Sequence, residues 1–309
     1  MTLSITHIKS FIRAGKRKTP MAKYIGVDVG GTKIEGALVN ERLKVFKRAR
    51  TATEAGRSRN RILENIARVV RELETKDVKG IGIGAPGFSD RKGKQRLTPN
   101  IKQFENFRLK KALEERLNRR IHLENDGNCF VLAEQKAGAA KGMKNVLGLT
   151  LGTGIGGGAI VDGMLLEGKN KGAAHFGHMI IDATGIKCHC GHNGDLESWC
   201  GGRYIEKRYR LMSGKSISAK EIFESKNKAA KKIVSDFYQK LGIAIADLVN
   251  AFNPECIVLG GSISKNVDLK KLRKEVVKYG QASLTREAKI AKNKLGEAGV
   301  LGAACLAIR

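Results

Sequence analysis

The chain has 309 residues, 41% of them hydrophobic and 28% charged. That length suits two packed lobes and excludes a single small module, and the apolar fraction excludes global disorder. Lysine and arginine total 58 against 30 acidic residues, a net charge of +28, yet no apolar run nears the roughly 18 residues of a membrane-spanning helix.

Residues 1–20 hold Lys9, Arg13, Lys16, Arg17 and Lys18 and no acid, with Ile5, Ile8 and Ile12 at helical spacing. A targeting presequence or a nucleic-acid arm is the functional reading, but residues 1–21 are expected to form a frayed, disordered basic extension. From Tyr24, "YIGVDVGGTKIEGALVN" predicts strand, glycine turn and strand. A Walker or dinucleotide-binding loop is excluded there, because each needs a helix directly after its glycines and Ile34 to Val39 reads as strand.

Helices are predicted over 59–74, 110–118 and 128–140, in pieces over 220–250, and over 265–277. Strands over 80–84, 121–124 and 255–259 alternate with them, which makes the chain α/β. The hairpin pattern returns as "VLGLTLGTGIGGGAIVDG": laying Asp28 on Thr150 puts Gly30 on Gly152, Gly36 on Gly158, Ala37 on Ala159 and Val39 on Val161. Two lobes from an internal duplication follow, each offering the backbone N–H groups of a glycine turn to an anion in the cleft between them. The final run "AGVLGAACLAI" predicts a helix that needs burial on both sides.

The positive charge is spread along the chain, and with 5% aromatic residues there is no basic and aromatic interleaving of the kind that stacks bases, so no nucleic-acid role is expected. Six cysteines are too few for a disulfide scaffold and point to a reducing cytoplasm. Three of them, Cys188, Cys190 and Cys200, share a short stretch with His175, His178, His189 and His192, which reads as a metal site.

"DVGGTK" (28–33), "IGAPG" (83–87), "ENDGNCFVLAE" (124–134), "LGTGIGGG" (151–158), "FGHMIID" (176–182), "CHCG" (188–191) and "NPECIVLGG" (253–261) occur together and in order. In this combination the chain resembles the ROK family of sugar kinases, transcriptional repressors and related open reading frames, over about residues 22–309. The resemblance implies a two-lobed actin and hexokinase type (ribonuclease H-like) ATPase fold with a ligand cleft between lobes. Residues 22–125 would form a small lobe, with the helix at 297–309 packed back on it, and 126–296 a large lobe carrying a zinc loop.

It further implies an ATP- and Mg²⁺-dependent phosphotransferase acting on the C6 hydroxyl of glucose or a related hexose. Gly30, Gly31, Thr32 and Lys33 would meet the phosphate tail from one lobe and Gly152, Thr153 and Gly154 from the other, with Gly260 and Gly261 on the nucleotide. Asp28 would hold Mg²⁺ through water, and Asp126 would be the base that accepts the hydroxyl proton. Gly87, Asn100, Asn125, His175, His178 and Glu197 would line the sugar. Zinc would take His178, Cys188 and Cys190. Asp195 stands where the family has a third cysteine, with Cys200 and His192 as other candidates for the fourth ligand.

At His175 many family members carry glutamate, and some N-acetylmannosamine kinases carry histidine, so an N-acetylhexosamine is the alternative acceptor. A sugar-responsive transcriptional regulator is the alternative of another class, disfavoured because about 21 residues before the first motif are too few for a three-helix DNA reader. A homodimer in the cytoplasm is expected by analogy with the family.

Overall fold

The computed structural model describes residues 21–98 and 100–308, so the basic extension, apart from Met21, lies outside the described residues. The first hairpin pairs β1 (Lys23–Val29) with β2 (Lys33–Asn40), Asp28 opposite Glu35 and Val29 opposite Ile34. β3 (Val45–Ala52) adds to β2 as an edge strand whose sequence, VFKRARTA, alternates too weakly to be read in advance and whose lysine and arginines guard the open edge. Helix α1 (Arg59–Leu73), capped by Ser58, lays Ile62, Ile66, Val69, Val70 and Leu73 on one face of this sheet. β4 (Val78–Ala85) runs parallel to β1, the short strands β5 (Phe88–Ser89) and β6 (Gln95–Arg96) form a separate ribbon, and α2 (Leu109–Leu117) leads to β7 (His122–Asn125), parallel to β4. The sheet order is β3-β2-β1-β4-β7.

After α3 (Asp126–Ala137) the chain builds the same sheet again. β8 (Val146–Leu151), β9 (Ile155–Val161) and β10 (Met164–Leu165) form the meander, and β11 (Cys256–Gly260) and β12 (Lys289–Lys292) follow in parallel, in the order β10-β9-β8-β11-β12. The repeat seen in the two hairpins thus extends to all five strands of each sheet. Between β10 and β11 lie α4 (Leu196–Cys200), α5 (Gly202–Ser213), α6 (Ala219–Glu224) and α7 (Lys228–Phe252); α8 (Leu269–Tyr279) and α9 (Ala282–Thr285) precede β12. Helix α5 was not predicted, although Tyr204, Ile205 and Tyr209 give it a buried stripe. Asn227 caps α7, which explains the break in the helical run expected over 220–250.

Helices α3 and α10 (Ala298–Cys305) exchange sheets. α3 follows the last strand of the first sheet yet packs on β8 and β9, whereas α10 follows the last strand of the second and packs on β1 and β4. The two helices cross in mutual contact, and a third core cluster, including Phe130, Val131, Val300, Leu301 and Ala304 with Tyr24, Val39, Val146 and Val258, is shared between the sheets. The crossing depends on missing side chains: a Cβ on Gly302 would overlap the carbonyl oxygen of Cys129, one on Gly82 that of Ala303, and one on Gly127 that of Gly157. Backbone is the obstacle in each case, and backbone yields less readily than a flexible side chain.

Gly302→Ala should therefore cost about 3 kcal/mol in chemical denaturation, the upper range for overpacking. Gly56→Ala, where a Cβ would meet nothing within 4 Å, should stay within about 0.5 kcal/mol. Equal stability of the two variants would show that the crossing tolerates separation.

Candidate active site

The first glycine turn closes through Gly30 N–H donating to Lys33 O at 2.9 Å. Thr53, fully buried at the end of β3, braces it: its hydroxyl donates to Gly30 O at 2.6 Å and its N–H to Thr32 O at 2.9 Å. With those carbonyls turned back, the turn keeps N–H groups for an anion. Asn100 lies against Gly31, whose Cβ would come within 3.2 Å of the asparagine Cβ. Lys33 instead turns to Glu35 at 2.7 Å and remains more than half exposed.

In the second turn Gly152 N–H donates to Gly154 O at 2.9 Å, and the start of α5 closes on it through Gly202 N–H to Gly152 O and Arg203 N–H to Thr153 O. Gly260, opposite Thr150, and Gly261, at φ +84° against Leu151 O, end β11 beside this turn. Glu197 sits beneath it: one carboxylate oxygen accepts from Ile155 N–H at 2.8 Å, and the other lies 3.2 Å from His189 Nδ1.

Two carboxylates lie near one another, Asp28 two residues before the first turn and Asp126 at the start of α3. Asp28, on β1, packs against Gly299 at the start of α10. Desolvation, then the like charges of Asp126 and Glu35, push its carboxyl up to about 7, against a smaller opposing pull from Lys33. Asp126 is the first residue of α3; it opens to solvent on one side and is crowded by protein on the others. Desolvation raises its proton affinity, opposed by the Gly127 N–H it accepts at 2.8 Å. Asn125 is the cap of α3, accepting from Gly127 N–H at 2.8 Å and donating to Gly87 O, where φ is +79°. Both ends of its side chain are thus already engaged within the protein.

On the second lobe, His175 meets Phe88 edge to face at 5.3 Å, and burial, then the neighbouring His178, lowers its proton affinity. His178, Cys188, Cys190 and Asp195 converge, with ligand atoms all within 4.8 Å of one another. Asp195 Oδ2 is 2.9 Å from His178 Nδ1 and accepts from Cys190 Sγ at 3.4 Å, while its Oδ1 caps α4 through Ser198 N–H at 2.8 Å. Burial pushes Asp195 up, but hydrogen bonds from His178, Cys188 and Cys190 outweigh it and hold the carboxyl far below its usual range. Of the other candidates for fourth ligand, Cys200 is buried with its thiol on Phe237 O at 3.6 Å, and His192 is exposed; neither joins a cluster among the described residues.

The ROK family model matches residues 24–309. The chain belongs to the ROK family. Among its relatives, a glucokinase from Thermotoga maritima is 33% identical, spanning 93% of this chain and 98% of that one. An N-acetyl-D-glucosamine kinase from Photobacterium profundum is 36% identical over 93% and 99%. The crystal structure of a ROK family glucokinase from Streptomyces griseus in complex with glucose and AMPPNP superposes with a TM-score of 0.78 at 30% identity, covering 92% of this chain and 99% of that one. The fold is therefore that of the two-lobed actin and hexokinase type.

Residue reasoning missed Thr53, because nothing in "TAT" marks a threonine that will brace a turn twenty residues earlier. It also missed Glu124 as the anchor of Asn125, whose N–H it accepts at 2.9 Å.

The elevated Asp28 carboxyl sets a pH dependence of stability. Native Asp28 keeps its proton up to about pH 7 while the unfolded chain loses it near pH 4, so this group lowers stability as pH rises across that window. Asp28→Asn should remove the effect, and its stability gain over wild type, measured without nucleotide or Mg²⁺, should grow from pH 5 to pH 8 by on the order of 2 kcal/mol. Parallel stability curves for the two proteins would contradict the assignment.

Proposed function

We propose that this ROK protein transfers the γ-phosphate of ATP to the C6 hydroxyl of glucose or a related hexose. The observation that carries the reading is the placement of Asp28, two residues before the first glycine turn, and Asp126, at the start of α3 where Gly127 packs on Gly157 of β9, in two sheets of the same strand order. The turns offer N–H groups to a polyphosphate from both lobes. Asp126 is a carboxylate at the end of β7 with room on its solvent side for a hydroxyl, and its raised proton affinity suits it to accept the proton as phosphoryl transfer proceeds. Asp28 is suited to hold Mg²⁺ through water, and bound Mg²⁺ would offset the phosphate charge that builds in the transition state. Asn125, fixed by Gly87 and the α3 N-terminus, orients Asp126 and retains hydrogen-bonding capacity toward the sugar.

His175 supports a second acceptor class. A neutral imidazole offers one donor and one acceptor where a glutamate would accept two hydroxyl protons, and the smaller demand leaves room for an N-acetylhexosamine. The kinship to both a glucokinase and an N-acetyl-D-glucosamine kinase supports keeping both acceptors.

We further propose that His178, Cys188, Cys190 and Asp195 hold a structural Zn²⁺. One nitrogen, two sulfurs and one oxygen suit a closed tetrahedral site. Asp195 would link the metal to α4 and so to Glu197 beneath the second glycine turn. The same reading makes the protein a homodimer by analogy with the family, and its few cysteines suit a reducing cytoplasm.

A coupled ADP-release screen over hexoses and N-acetylhexosamines tests the activity. Asp126→Asn should cut turnover at least ~10²-fold with sugar affinity nearly unchanged; near-normal turnover would remove Asp126 as the base. Elemental analysis should find about one zinc per chain. Cys188→Ser and Cys190→Ser should each lose it and melt at lower temperature, whereas a zinc-free wild type from zinc-replete medium would sink the metal assignment.

A further inference from the structure

A lysine bridges the cleft beside the candidate active site, at a backbone position ill suited to it. Lys171 lies between β10 and the short helical turn Phe176–His178, with φ at +66°, where a Cβ is disfavoured and glycine is the usual occupant. Its side chain is four-fifths buried, and its ammonium lies 2.7 Å from Glu124 Oε2 and 3.2 Å from Glu167 Oε1. Glu124 belongs to β7 in the other lobe and is almost wholly buried. A carboxylate so placed needs a counter-charge, and Lys171 supplies it. The second oxygen of Glu124 accepts from the Asn125 N–H at 2.9 Å and from the Asn128 amide at 3.2 Å, so the pair reaches the residues flanking Asp126.

The same segment is held to the first lobe at two other points. Arg91, between β5 and β6, binds Glu167 at 3.2 Å and the carbonyls of Gly168 and Lys169 at 2.8 and 2.9 Å. Phe88 meets His175 at its far end. Of the three ties, Lys171 with Glu124 is the most deeply buried and the one in contact with the strand end that bears Asn125 and Asp126. A glycine would serve the backbone at 171 better; the lysine is used for its ammonium, which pairs with Glu124 and Glu167 and also reaches Leu123 O at 3.5 Å.

We propose that Lys171 is a positioning residue: its ion pair with Glu124 locks the segment 166–175 onto the end of β7, setting His175 and Asp126 in register across the cleft before the acceptor arrives. The role in register rests on the kinase reading above. The lock itself is a property of the free protein.

Hydrogen exchange on the free full-length chain tests the lock with Lys171→Met, which keeps the stem and removes the charge, and with Lys171→Gly, which also frees the backbone and so guards against misfolding. Both should speed exchange at least tenfold in peptides covering 166–175 and 123–128, and Lys171→Arg should stay near wild type. In the ADP-release assay both should raise KM for the sugar tenfold or more, with KM for ATP within twofold. Unchanged exchange in these peptides, or an ATP KM that rises as much as the sugar KM, would overturn the proposal. Should no sugar elicit ADP release from wild type, the kinase reading fails, while the exchange result still decides whether Lys171 locks the two lobes.

Discussion

The structure depends on the close crossing of α3 and α10. Each helix leaves the last strand of one sheet and packs on the other, so neither lobe completes its core without a helix fed from its partner. That exchange requires backbones to touch, which is why Gly302 meets Cys129 O and Gly82 meets Ala303 O. A side chain at either contact would overlap backbone and force a local shift.

The candidate site grows from the two ends of that crossing. Asp126 opens α3, and Asp28 packs on Gly299 at the start of α10, so the helix contact buries Asp28, which raises its proton affinity, and brings Asp126 near enough to add a smaller like-charge effect. The glycine turns come from the duplicated hairpins of two sheets that share one strand order. The lobes contribute differently after that point. The first supplies Thr53, Asn100 and Asn125; the second adds the segment with His175, the convergent His178, Cys188, Cys190 and Asp195, and Glu197, which supports its own glycine turn from below.

What was legible in the sequence was whatever chemistry is local. The glycine turns between strands, the helix start at "END" and the grouping of "CHCG" with His178 are set within a few residues, and the repeated hairpin exposed the duplication. What was not legible depends on partners distant in the chain. Thr53 acquires a role only because β3 ends beside the first turn, and Lys171 only because a loop of the second lobe reaches Glu124. Strand β3 went unread because an exposed edge rich in arginine lacks alternation. Asn125 was read for its sugar-facing chemistry, whereas the structure also spends its side chain on capping α3 and binding Gly87 O. Capping and ligand binding use the same atoms, so residue type alone cannot separate them.

The central claim is that the two carboxylates between the glycine turns serve phosphoryl transfer to a sugar hydroxyl. Phosphorus NMR of the products formed from ATP, Mg²⁺ and glucose, repeated with N-acetylglucosamine and N-acetylmannosamine, tests it most directly. The account predicts a sugar phosphomonoester at C6 appearing in step with ADP from at least one of these acceptors. Inorganic phosphate as the only product, formed at the same rate with or without sugar, would contradict it.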